Sequence, residues 1–181
     1  MSDKFQFNDY NSLVLKVKME EYWDIYDKNR VFQNRTIRRG DAFKEGEYYV
    51  CCEVWIQNSK RELLITQRHP DKKAGGLWEF VGGGVLAGET TAQAGVREVK
   101  EEIGVSLEQS ELSLLHVYKN KNYFMDIYLV KKDVNIQDIT LDENETVSVK
   151  WVSTEELQVL IDTQKVVRSV AQRFDMLIDK L

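Results

Sequence analysis

The sequence predicts an α/β or α+β fold, a sandwich in which a mixed β-sheet lies between helices. Three observations carry this. Short runs of β-branched and aromatic residues recur before and after one long amphipathic helix pattern near residues 91–103. One run, Glu47 to Ile56 (EYYVCCEVWI), is almost continuously apolar, as a central strand buried on both faces must be. Two further helical patterns close the chain after Ser153.

Taken in order, residues 1–20 alternate weakly and receive no assignment. EYWDIYD from Glu21 reads as a strand, Lys28-Asn29 as a turn and VFQNRTIRRGD as the returning strand, so residues 21–41 form a hairpin. Glu47–Ile56, the turn Asn58-Ser59-Lys60 and ELLITQR (62–68) make a second hairpin. The loop HPDKKAGGLW follows, then a short strand, Trp78 to Val81, which delivers the chain to Gly82-Gly83-Gly84. The three glycines read as a flexible turn, permitting positive φ and close backbone approach to a ligand. Thr90 and Gln93 have the spacing of a capping box, and Gly104 stands where a terminating glycine belongs. Ala92, Val96, Val99 and Ile103 make the core-facing stripe between them. Gly95 inside that helix costs about 1 kcal/mol relative to alanine, so it marks tight packing. Residues 112–118 and 123–131 are strands, 141–146 (LDENET) an acidic loop, and 147–152 a strand. Ser153 and Glu156 form another capping box, and a last helix carries Val166, Val167, Val170, Phe174, Leu177, Ile178 and Leu181. With no internal repeat and no linker, residues 1–181 read as a single domain.

Composition narrows the function classes. A chain of 181 residues with net charge −5 is not a general nucleic-acid binder, whose footprint is basic. No apolar run approaches the roughly 18 residues that span a bilayer. The N-terminus lacks a secretory pattern, so a cytoplasmic location is the default. The two cysteines, Cys51 and Cys52, are adjacent within the apolar strand run; they indicate neither a disulfide framework nor a zinc site and read as buried small hydrophobes. Strand aromatics such as Trp23, Tyr26, Trp55, Tyr118, Tyr123 and Tyr128 read as core residues, with base stacking as the alternative.

The chemistry gathers on the helix. Glu98 precedes Glu101 and Glu102 by three and four residues, so three carboxylates share one face. Like charges at that spacing repel, and a divalent cation reverses the sign of that effect. The full pattern is Gly83, five residues, Glu89, seven residues, then Arg97-Glu98-Val99-Lys100-Glu101-Glu102-Ile103-Gly104-Val105. It matches the Nudix box at every defined position, an agreement expected by chance at about one in a billion per start site. The chain therefore resembles the Nudix hydrolases, which split a diphosphate linked to another moiety. The resemblance implies the Nudix-type α/β/α sandwich and a Mg²⁺ or Mn²⁺ cofactor held by Glu98, Glu101, Glu102 and the Gly83 carbonyl. It further implies that Arg97 orients a carboxylate with Glu89 as its partner. The expected partner is a small-molecule diphosphate substrate, and the family's many dimers make a homodimer an expectation too. The base that activates water comes either from the box helix, here Glu101, or from the later acidic loop, here Glu145.

WDIYDKNR, the RRGD-to-GEYY segment and RHPDKKAGGLW are similar to the Nudix subgroup of isopentenyl-diphosphate isomerase, a weaker resemblance over about residues 21–105. It makes Arg68 and Lys72 candidate diphosphate contacts. In the isomerase a catalytic cysteine follows the tryptophan; here Gly82 stands at that place, which favours hydrolysis over isomerisation. A non-hydrolytic binding module is the third alternative, and the intact carboxylate set counts against it. No proline follows Pro70, which removes the downstream proline of many ADP-ribose-cleaving members and leaves the substrate's leaving moiety open.

Overall fold

The computed structural model describes residues 20–181; the unassigned stretch before them lies outside the described residues. The first hairpin forms as expected. Its strands, β1 (Tyr22–Tyr26) and β2 (Phe32–Arg38), make a separate two-stranded antiparallel sheet with Trp23 opposite Ile37. Asp27 closes its turn by accepting the backbone N–H groups of Asn29 and Val31 at 2.8 and 2.9 Å.

The main sheet has seven strands among the described residues: β3 (Tyr49–Gln57), β4 (Leu63–Arg68), β5 (Trp78–Glu79), β6 (Val81–Gly84), β7 (Ser113–Lys119), β8 (Tyr123–Lys131) and β9 (Thr146–Val152). β3 runs through its centre, parallel to β8 along its whole length from Tyr49↔Tyr123 to Gln57↔Lys131. On its other side β6 pairs antiparallel with it. The expected hairpin of β3 with β4 is therefore corrected: the two meet only at Gln57↔Leu63, and β4 then turns away to lie between β5 and β9. β6 has taken the edge of β3 that the hairpin needed.

Helices cover both faces. α1 (Thr91–Ile103) packs Val99 and Ile103 on Val54, Ile56 and Leu64; α2 (Thr154–Asp162) and α3 (Arg168–Leu177) pack Leu157, Val170, Phe174 and Leu177 on Trp55, Leu63 and Ile65. Successive residues of β3 point to opposite faces, so both sets are apolar, and the α/β/α sandwich follows. The expected core stripe of α1 is shifted: Ala94 and Gly95 are buried, while Ala92 and Val96 are only half-buried. A Cβ on Gly95 would stand 2.9 Å from Leu112 Cδ2 and 3.1 Å from Val54 Cγ2, which is the tight packing expected there.

The last helix starts later than its apolar period implies. Trp78 N donates to Lys165 O at 2.8 Å and Val167 N donates to Trp78 O at 2.9 Å. This strand-like bridge holds Val166 buried but extended, and Val167 becomes the cap of α3.

Candidate active site

The three glycines do not form a turn. Gly82, Gly83 and Gly84 belong to β6 and pair with Glu53, Cys52 and Cys51 of β3. None of them has positive φ, so conformational freedom is not why glycine stands there. Space is. A Cβ on Gly82 would collide with the Cys52 carbonyl oxygen and come within 2.9 Å of Glu53 Cα; one on Gly83 would overlap the Glu98 carboxylate; one on Gly84 would lie 2.5 Å from Trp23 Nε1. Missing side chains bring a helix carboxylate and an indole against bare backbone.

α1 is built by local signals. Thr90 and Gln93 make a reciprocal capping box, and Gly104 ends the helix at φ 72 with its N–H on Lys100 O at 3.1 Å. Its caps fix the phase of the carboxylates. Arg97 sits at their centre. Its Nε and Nη2 donate to the two oxygens of Glu89 at 2.8 and 2.9 Å, and Nη2 also donates to the Gly84 carbonyl at 3.1 Å. Nη1 donates to Glu98 at 2.8 Å and to Glu101 at 3.2 Å. Glu89 in turn accepts the Leu86 N–H at 3.0 Å, anchoring the arginine to the loop before the helix. The acids anchor Arg97, whose pKa is raised despite burial.

The acids differ sharply in environment. The Glu101 side chain is 58% exposed and that of Glu98 only 16%. Burial raises the pKa of Glu98, opposed by Arg97. Glu102 is pushed up to about 8 by burial and then by the neighbouring charges of Glu98 and Glu79, although the Gly82 backbone hydrogen-bonds to it. A cavity of about 320 Å³ collects Glu98, Glu101, Glu102, Gly83, Arg97 and both basic-loop candidates, Arg68 and Lys72.

Neither basic residue stands alone. Arg68 Nη1 donates to Glu79 at 2.5 Å, and Lys72 forms an ion pair with Glu145. His69 N also donates to the Glu145 carbonyl at 2.9 Å, so the loop after β4 and the acidic loop before β9 meet over the cavity. Asp142 joins that loop to the helix, its N–H donating to the Glu102 carbonyl at 3.0 Å. The strand after it begins at Thr146, one residue earlier than read from the sequence.

Sequence reasoning missed Glu79, Arg39 and Glu21, which also line the cavity. Arg39 Nη1 donates to Glu21 at 2.5 Å and its guanidinium lies 5.9 Å from the Trp23 ring centroid. All three depend on distant strands or on the hairpin folding over the box, and only the RRGD resemblance hinted at one of them. Cys51 is half-buried and Cys52 fully buried; burial pushes the Cys51 thiol up to about 12, so it stays protonated.

Among the described residues no three Asp, Glu, His or Cys side chains already stand gathered as a cation cluster; Arg97 holds Glu98 and Glu101 turned towards itself. The residues nevertheless fit a hard divalent ion. The donors are oxygens only, and Glu98 and Glu102 are half-buried acids raised in pKa, Glu102 in part by the charge of Glu98, which a cation would relieve.

A model of the NUDIX domain matches residues 50–174, and the chain belongs to that family of hydrolases, which typically act on nucleoside diphosphate derivatives. It is 37% identical over 144 residues to an uncharacterized Nudix hydrolase of Listeria innocua, covering 78% of this chain and 85% of the relative. The crystal structure of DR0079 from Deinococcus radiodurans shares the fold with a TM-score of 0.73 at 23% identity, over 87% of this chain and 99% of that one. A bifunctional NMN adenylyltransferase/ADP ribose pyrophosphatase from Francisella tularensis, solved with AMP and a manganese ion, aligns with a TM-score of 0.62 at 20% identity, over 77% of this chain and 43% of that one. Among the described residues no helix is long and apolar enough to cross a membrane.

Proposed function

We propose that this chain is a Mg²⁺- or Mn²⁺-dependent diphosphohydrolase acting on a nucleoside diphosphate derivative or a related small phosphorylated compound. The observation that carries the reading is the convergence of Glu98, Glu101 and Glu102 on one cavity that Arg68 and Lys72 also line. Acids and bases divide the work: Glu98, Glu101, Glu102 and the Gly83 carbonyl would hold the cation, and Arg68 and Lys72 would grip phosphate oxygens. When bound, the cation offsets diphosphate charge and acidifies water.

The chain's own residues supply the rest. Arg97, fixed by Glu89, keeps Glu98 and Glu101 in register on the helix face. Glu101 is the base we favour for taking the proton of the attacking water. It is the most exposed of the three acids and is held only by a 3.2 Å contact from Arg97, whereas Glu145 is engaged by Lys72 and must first release it. Arg68 and Lys72 then stabilise the charge that gathers on the departing phosphate. Gly82 supports hydrolysis over isomerisation, since it stands where the isomerase has its catalytic cysteine and even a methyl group at that position would meet the Cys52 carbonyl.

The test is phosphate release over a panel of nucleoside and isoprenoid diphosphates, with Mg²⁺ and with chelator. Glu101→Gln is expected to lower kcat at least 100-fold with an unchanged melting temperature, and Glu145→Gln by less than ten-fold. The reverse order would transfer the base to Glu145; full activity in both variants would remove the site.

A further inference from the structure

Among the described residues the cavity of the box acids is lined by four cations, Arg39, Arg68, Lys72 and Arg97. Three are already committed. Arg97 uses all three nitrogens on Glu89, Glu98, Glu101 and the Gly84 carbonyl. Arg68 donates to Glu79 and to the Lys73 carbonyl, and Lys72 holds Glu145. Arg39 is different. It arrives on the hairpin, a separate two-stranded sheet, and its side chain makes one hydrogen bond, Nη1 to Glu21 at 2.5 Å. Its Nε and Nη2 donate to no group among the described residues, although a guanidinium offers five N–H bonds.

The hairpin aims this arginine and no other. Tyr22 pairs with Arg38, so Glu21 comes opposite Arg39, whose N–H donates to the Glu21 carbonyl at 2.8 Å. Ile37 is buried, Arg38 turns outward to pair with Glu20 and Asp41, and Arg39 returns to the cavity. Trp23 anchors the inward face: its ring stacks on Tyr49 of β3 at 4.6 Å and 8°, and its Nε1 takes the space that a Gly84 side chain would fill. The Arg39 guanidinium lies 5.9 Å from that ring centroid, within cation–π range. Both the acidic helix and the basic loop feel its charge. Burial raises the Glu98 pKa and Arg39 is among the charges opposing this; burial lowers the Lys72 pKa, and Arg68 and then Arg39 lower it further.

We propose that Arg39 is a further substrate-binding residue, which leaves Glu21 to grip phosphate oxygens of the bound diphosphate, and that Glu21 sets substrate affinity by competing for it. The inference rests on the diphosphohydrolase reading for the ligand. Ion pairs open to solvent contribute little, and this one is 54% exposed at Arg39 and 31% at Glu21. A guanidinium holding phosphate through two parallel N–H groups makes stronger, charge-assisted bonds. The exchange therefore runs towards the phosphate, and the stack on Trp23 keeps the arginine at the cavity while its partner changes.

The experiment is calorimetric titration of the full chain, in Mg²⁺, with methylenediphosphonate, the non-hydrolysable analogue of pyrophosphate. Arg39→Gln is expected to weaken binding about ten-fold or more. Glu21→Gln removes the competitor and is expected to tighten binding about two- to five-fold, a gain that a purely structural ion pair would not give. The double variant is expected to bind like Arg39→Gln, because Glu21 acts through the arginine. Arg38→Gln makes the same change of charge one residue away, on the outward side, and is expected to bind like the unaltered chain. Should Arg39→Gln not fold, the sign of the Glu21→Gln effect decides alone. Undiminished binding by Arg39→Gln, weaker binding by Glu21→Gln, or equal losses in Arg38→Gln and Arg39→Gln overturns the inference. Failure of the unaltered chain to bind the probe overturns both the inference and the hydrolase reading. Variants that behave as expected, with no phosphate released from any diphosphate of the panel, would overturn the hydrolase reading alone and leave Arg39 as a diphosphate-holding residue.

Discussion

Arg97 grips Glu89 with two parallel hydrogen bonds, Nε to Oε1 at 2.8 Å and Nη2 to Oε2 at 2.9 Å, while its third nitrogen holds Glu98 at 2.8 Å. One guanidinium thus ties the loop before the helix to the helix's own acids, a geometry that a lysine's single ammonium cannot reproduce. Arg97→Lys is therefore expected to lower kcat/KM about 10- to 100-fold, the usual cost of losing an orienting partner. Steady-state kinetics beside a circular-dichroism melt checks this; a loss confined to stability would assign Arg97 to the fold alone.

Glu102 links the site to pH. Its carboxyl is raised from 4.5 to about 8 by burial and by the charges of Glu98 and Glu79. Between those values the folded, metal-free protein holds a proton that the unfolded chain has released. Stability of the metal-free protein therefore declines as pH rises from about 4.5 and levels off above about 8. Cation binding at pH 7 should displace that proton. Calorimetry of Mn²⁺ binding in buffers of different ionisation enthalpy is expected to show about one proton released, and Glu102→Gln to abolish it.

Gly82 and Gly83 separate stability from chemistry. Gly82→Ala places a methyl group against the Cys52 carbonyl, a backbone atom that cannot yield, and is expected to cost about 1–3 kcal/mol of unfolding free energy. Gly83→Ala meets first the Glu98 carboxylate, the far end of a side chain that can swing aside. Its expected effect is a weaker apparent Mn²⁺ affinity with a near-normal denaturation midpoint. Equal destabilisation in both variants would contradict this division.

The hairpin is clamped to the active-site helix by Arg30, which donates to Asp126 at 2.6 and 2.7 Å, while Thr91 at the start of α1 donates to the same carboxylate at 2.7 Å. Asp126 is almost buried and Arg30 is partly exposed. Arg30→Ala leaves that carboxylate without its counter-charge and is expected to cost about 2 kcal/mol in urea unfolding. Because the hairpin carries Arg39 to the cavity, KM is expected to rise more than kcat falls.

Much of the site was legible in the sequence because its parts are local. The caps at Thr90 and Gly104, the spacing of Glu98, Glu101 and Glu102, and the fit of Glu89 to Arg97 span a single turn and helix, whose geometry repeats every 3.6 residues. The same locality revealed the first hairpin and the α/β/α layering, since the apolar run of β3 already required cover on both faces. Tertiary structure alone decided how β3, β4 and β6 meet in the main sheet. It turned the three glycines from a flexible turn into a strand beside β3, broke the expected β3–β4 hairpin, and set Val166 in a bridge with Trp78 ahead of the last helix. It also brought Glu79 and Arg39 to the cavity, Arg173 onto Glu53, and Lys72 onto Glu145. Helix faces follow from near neighbours in the chain, whereas strand pairing and buried ion pairs join residues up to 120 positions apart, for which no local pattern exists.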